Sequence, residues 1–148
     1  MIWDTAGQPK FRTVTQLYLK RADGVLVLYG VHDRNSYDNV CRWMETVDEH
    51  CPESIPRIVV GIKGKEFTDE ARQVSLEEGM HLGDQFRCPF FECSVGKGTN
   101  ICEAFCALAK LIFENKLPHW DEASQTYEQA QQFVNSFVLN RNESQARD

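Results

Sequence analysis

Four short loops hold the residues best equipped for chemistry: "DTAGQ", "GVHDRN", "GIKGKE" and "CSVGKG". The first lies in the opening stretch "WDTAGQ", which reads as a strand end, a turn and a catalytic type of glutamine, Gln8. Two Gly-Lys pairs, Gly64-Lys65 and Gly96-Lys97, invite a phosphate-loop reading. That loop has the form G-x4-G-K-[ST], whose leading glycine lets the backbone wrap a phosphate. The leading positions are Val59 and Phe91, so both pairs fail the pattern. Six cysteines are present, with Cys88 and Cys93 five residues apart and Cys102 and Cys106 four apart. A zinc site calls for close, turn-like pairs such as C-x2-C. These spacings read instead as small, buried, reduced side chains.

The elements that must position those loops follow from hydrophobic pattern. "DGVLVLYGV" (23–31), "PRIVVGI" (56–62) and "CPFFECS" (88–94) are apolar runs without alternation. Such runs suit strands covered on both faces of a parallel sheet. Between them, Tyr37, Val40, Cys41, Met44 and Val47 recur at helical spacing, with Asn35 or Ser36 as the cap. Ser75 and Glu78 form a capping-box pattern at the start of another helix, which Gly83 weakens near its end. Ile101, Ala104, Phe105, Leu108, Ala109 and Ile112 trace a third helix. Alternating strands and helices predict an α/β fold, a mostly parallel sheet with helices on both faces. Ligands of such folds sit at the carboxyl ends of the strands, where the four loops lie. After Pro118, "LPHWDEAS" reads as a linker, Tyr127 to Val138 as a short amphipathic helix, and "NRNESQARD" as a disordered tail. The domain expected is therefore 1–117, with 118–148 as an appendage.

Composition narrows the function class. The 148 residues are 42% hydrophobic and 26% charged, with net charge −6. An acidic chain of this kind is a poor candidate for nucleic acid or anionic membrane. No apolar run is long enough to span a bilayer and no secretory signal is visible, so a cytoplasmic location is expected.

"WDTAGQ", continued by "PKFRTVTQLYLKRADGVLVLY", resembles the third motif of Ras-superfamily small GTPases in the context of the Rab branch. The resemblance runs from Ile2 to about Lys116. It implies a partial P-loop NTPase fold, binding and hydrolysis of GTP with Mg²⁺, and switching of effectors in vesicle traffic. By that resemblance Asp4 holds the magnesium ion through water and Gly7 offers its backbone N–H to the terminal phosphate. Gln8 orients the attacking water. Lys63 matches the lysine of the base motif N-K-x-D, whose stem lies along the base, and Ser94 and Val95 match the start of S-A-K. The Val95 amide is then the donor to the guanine oxygen. Effector contacts are expected on the Phe11–Arg21 helix, where Arg12, Lys20 and Arg21 accompany Leu17, Tyr18 and Leu19.

Departures from the family pattern are concentrated where the nucleotide would sit. Ile62 replaces the base-motif Asn and Lys65 replaces its Asp. A cation cannot accept guanine's N–H groups, and each lost charge-assisted bond costs roughly 1.5–3 kcal/mol. Gly96 stands for the S-A-K lysine, Pro9 for a usual acidic residue, and Gly30 for a usual strand-end Asp. The chain contains no phosphate loop and no cysteine near its end for a prenyl anchor. The expectation is the C-terminal two-thirds of a Rab-like domain, lacking the first strands and impaired in nucleotide chemistry. Two alternatives stand beside it: a nucleotide-independent interaction module, and a fragment that does not fold alone.

Overall fold

A computed structural model describes residues 1–5, 7 and 12–116. The expected helix, linker and tail of 118–148 lie outside the described residues, as do Gln8 and Phe11. The element order is α1 (Arg12–Leu19), β1 (Val25–Gly30), α2 (Arg34–Asp38), α3 (Val40–His50), β2 (Arg57–Lys63), a short 3-10 turn at Asp69–Ala71, α4 (Leu76–Phe86), β3 (Phe90–Ser94) and α5 (Ile101–Lys116). The three strands form one parallel sheet in the order β1-β2-β3. Val25 pairs with Arg57 and Gly30 with Ile62, while Val59 pairs with Phe90 and Lys63 with Ser94. All three carboxyl ends therefore reach the same edge of the sheet, as expected of crossover units.

Each face of the sheet has its own core. Side chains alternate along a strand, so Val27, Tyr29 and Val59 face one side, with Val40 and Met44 of α3 and Leu82 of α4. Ile58, Val60 and Cys93 face the other, against Ala104 and Leu108 of α5. Gly79 is where α4 meets the sheet: a Cβ there would lie 2.3 Å from Phe90 Cζ and 2.5 Å from the Tyr29 hydroxyl oxygen. Gly83, read from the sequence as a weak point of α4, is buried at a similar close approach, 3.0 Å from the Cys88 carbonyl oxygen.

Several local expectations change. The helix read through Tyr37 to Val47 is two helices meeting at Asn39, and its first cap is Asp33, not Asn35 or Ser36. The Asp33 carboxylate accepts from the Ser36 N–H at 3.2 Å, and the Ser36 hydroxyl is occupied elsewhere, donating to Asp33 O and accepting from the Gly30 N–H. The capping box holds: the Ser75 hydroxyl accepts from Glu78 N–H at 3.1 Å while the Glu78 carboxylate accepts from Ser75 N–H at 2.8 Å. Residues 1–5, read as a strand end, form no strand. Among the described residues no strand lies beside β1 on its outer side, so the ladder partner that a strand there needs is not supplied.

Candidate functional site

The carboxyl ends of β2 and β3 form one interlocked corner. Lys63 closes β2, and its carbonyl accepts from the Val95 N–H at 2.9 Å. The following turn comes so near that a Cβ on Gly96 would stand 2.7 Å from the Lys65 carbonyl oxygen. Ser94 is buried; its N–H donates to the Thr99 carbonyl at 3.1 Å and its hydroxyl accepts from the Lys97 N–H at 3.3 Å. Gly98 and Asn100 hold the loop closed with left-handed φ of 64° and 60°. The Asn100 amide donates to the Glu92 carbonyl at 2.9 Å, which ties the loop back to β3.

At the centre of this corner is Glu92, a residue the sequence reading did not select. Its side chain is only 11% exposed. One carboxylate oxygen lies 2.6 Å from Lys63 Nζ, and the Arg72 guanidinium donates to both oxygens at 2.8 and 3.0 Å. The Arg72 hydrogen bonds, with help from Lys63, hold the Glu92 carboxyl below the ordinary carboxylate range against the cost of burial. Phe67 lies beneath both cations, with Lys63 Nζ 5.6 Å and Arg72 Cζ 5.5 Å from the ring centroid. A shallow cleft beside the corner is lined by His32, Gly64, Glu66, Phe67 and Ala71.

These contacts decide what the corner can offer a purine base. The Lys63 ammonium is paired with Glu92, which it shares with Arg72, and lies over the Phe67 ring. The Val95 N–H, expected to serve the base oxygen, is donated to Lys63 instead. Lys65 is exposed and carries donors only, at the position where an acceptor would read guanine's N1 and N2 hydrogens. The corner thus presents Lys63 and Lys65 as donors, with its one buried carboxylate, Glu92, already shared between Lys63 and Arg72.

The opening stretch lies elsewhere. Asp4 and Gly7 are both exposed. Among the described residues no strand beside β1 carries Asp4 into the sheet. Trp3 instead stacks on Tyr18 of α1, with ring centroids 4.4 Å apart, and a Cβ on Gly7 would lie 4.0 Å from Trp43 of α3. Among the described residues no three His, Cys, Asp or Glu side chains gather as a metal site. On α1, Leu19 is a core residue beside Val47 and Ile55, while Val14 and Leu17 are 47% and 61% exposed. No helix among the described residues is long and apolar enough to cross a membrane.

Comparison with known proteins agrees with this architecture. A sequence model of the Ras family matches residues 1–114. The GTP-binding protein ypt2 of Schizosaccharomyces pombe is 42% identical over 123 residues, covering 83% of this chain and 60% of its own. Human Ras-related protein Rab-15 is 36% identical over 113 residues, covering 76% and 52%, and rice Ras-related protein RIC1 is 41% identical over 108 residues, covering 73% and 52%. The chain spans about half the length of the curated relatives it matches. Family membership brings with it GTP or GDP and Mg²⁺ as the family's ligands, and effectors and regulators as its partners. A parallel sheet with helices on both faces, the "WDTAGQ" stretch and the matched family model lead to one assignment: the chain belongs to the Ras family, as a Rab-like member.

Proposed function

We propose that this chain serves vesicle traffic as a Rab-type interaction module whose base-reading corner does not select guanine. The observation that carries the reading is Lys65 in the acceptor position, beside a Lys63 ion-paired with Glu92. Loss of paired acceptors is the kind of change that erases base discrimination, because selectivity rests on buried polar groups that only the correct base satisfies. Partners are proposed on the outer side of α1, where Val14, Leu17 and the stacked Trp3–Tyr18 pair offer apolar contact rimmed by exposed Lys20 and Arg21. Aromatic anchors with a basic rim are the composition of protein interfaces. Pull-down of trafficking proteins by the full chain tests this. Capture should be the same with GTP, GDP or no nucleotide, and should fall on Leu17→Asp. Capture that requires GTP would overturn it.

A second reading keeps the nucleotide switch. It is favoured by the intact "DTAGQ" stretch, in which Asp4, Gly7 and Gln8 all stand as the family has them. Single-turnover hydrolysis separates the two: a GTPase rate abolished by Gln8→Leu supports the switch.

A further inference from the structure

The outer edge of β1 carries a short row of backbone groups whose directions the ladder fixes. Along a strand, the N–H and C=O of one residue point to the same side, and the side alternates from residue to residue. The Val25 N–H donates to the Pro56 carbonyl at 2.9 Å and the Val31 N–H to the Ile62 carbonyl at 3.0 Å, so the odd-numbered residues of β1 face β2. Leu26, Leu28 and Gly30 therefore face outward, where no strand lies among the described residues. Gly30 is already satisfied: its N–H donates to the Ser36 hydroxyl at 2.9 Å and its carbonyl accepts from the Asp33 N–H at 3.0 Å. The open edge among the described residues is thus Leu26 and Leu28, each with one donor and one acceptor. The Leu28 side chain is 50% exposed, on the same face of the sheet as the partly buried Leu26. The devices that protect natural edges, such as a lysine or a proline, are absent from "VLVLYG".

We propose that this edge docks a second copy of the chain, the two β1 strands pairing antiparallel about a two-fold axis at Val27. One register uses every open group. Leu26 then stands opposite Leu28 of the second copy as a hydrogen-bonded pair that exchanges both N–H···O bonds, and symmetry repeats the pair on the other side of the axis. Val27 faces its own copy as the closer, non-hydrogen-bonded pair. Half-exposed Leu28 is covered by Leu26 across the seam. The neighbouring registers fit worse. Sliding one way pairs Leu28 with itself and Leu26 with Gly30, whose groups are taken. Sliding the other way sets Leu28 against Gly24, which has no side chain to cover it. Charge agrees with the antiparallel direction. Exposed Lys20 and Arg21, with Asp23, precede β1, while exposed Asp33 and the ion group of Arg34, Asp38 and Glu78 follow it. The first set is net positive and the second net negative, and antiparallel pairing brings each beside the other. The contact is isologous, so it closes at two copies and carries the sheet across the axis.

The test is sedimentation velocity of the full chain over a range of concentrations, joined to amide hydrogen exchange at Leu26 and Leu28. The native chain should show a monomer–dimer equilibrium that stops at two copies, and exchange at both amides should slow as the dimer fills. Leu28→Lys sets a charge against the apolar Leu26 across the seam and should abolish the dimer with helix content retained. Leu28→Thr keeps a strand former at the edge and should weaken association about tenfold or more. Leu17→Asp, on α1, should leave association unchanged. A native chain that stays monomeric throughout, species that grow beyond two copies, or a dimer whose Leu26 and Leu28 amides exchange as fast as the monomer's would overturn the proposal.

Discussion

The stretch that most resembles the family and the corner that least resembles it are held very differently. "WDTAGQ" matches the family residue by residue, yet Met1, Ile2 and Trp3 are 103%, 78% and 57% exposed and Asp4 faces solvent. The base corner has lost its Asn, its Asp and the third residue of S-A-K, yet it is bound together by Glu92, Arg72, Lys63 and the Val95 and Asn100 hydrogen bonds. Motif identity and structural integration are thus separate properties. A motif is legible because its residue types are specific. Its place in the fold depends on neighbours that supply hydrogen bonds and apolar cover.

The sharpest way to break this contrast is to remove the centre of the corner. Glu92→Ala leaves two partly buried cations facing each other and should cost about 3 kcal/mol in denaturant unfolding. The pH dependence follows in the same region. Because Glu92 is held below its unfolded value, its contribution is fully present above the ordinary carboxylate range and is lost as pH falls through the depressed folded value. Glu92→Gln should flatten that acid limb, and an unchanged limb would remove Glu92 from the account. Next in size is the glycine contact behind the corner. Gly79→Ala places a methyl 2.3 Å from Phe90 and should cost about 2 kcal/mol by overpacking.

Smaller effects sharpen the comparison. The Tyr29 hydroxyl is the buried side-chain polar atom without a hydrogen-bond partner among the described residues, and its burial raises the phenol well above its ordinary value. Removing an unsatisfied hydroxyl relieves a desolvation cost, so Tyr29→Phe should stabilise the fold by about 1 kcal/mol; a loss of stability would point to an unrecognised partner. Asp4→Ala, in the exposed stretch, should change stability by less than about 0.5 kcal/mol. A larger loss would show that the opening segment is more firmly built into the domain than its exposure indicates.

How far the molecule was legible in its sequence depends on the range of each interaction. The three apolar runs located the strands because their residue types are apolar throughout, even at Leu28 of β1, which is half exposed. The Ser75–Glu78 box was legible because both halves of the contact lie within one turn. The Asp33 cap was missed because Asn35 and Ser36 offer equal local chemistry, and only the engagement of Ser36 with Gly30 and Asp33 decides among them. The Lys63–Glu92–Arg72 cluster was not legible at all. It depends on β2 and β3 pairing in a register that places Gly61 opposite Glu92, and on the Asp69–Ala71 turn delivering Arg72. Leu17 and Leu19, grouped on one face from their types, separate into surface and core because α1 rests Leu19 against Val47 and Ile55.

The central claim, that the corner does not select guanine, is met most directly by competition binding. A fluorescent GTP analogue is displaced from the full chain by GTP, ATP and xanthosine triphosphate, in the native chain and in the Ile62→Asn, Lys65→Asp double variant. The account predicts that the native chain either binds none of them or fails to distinguish GTP from ATP, and that, where triphosphates bind, the double variant gains a preference for GTP. A strong GTP preference in the native chain, unmoved by the double substitution, would contradict it and would place the guanine acceptor elsewhere, with Glu66 beside the cleft the first residue to replace.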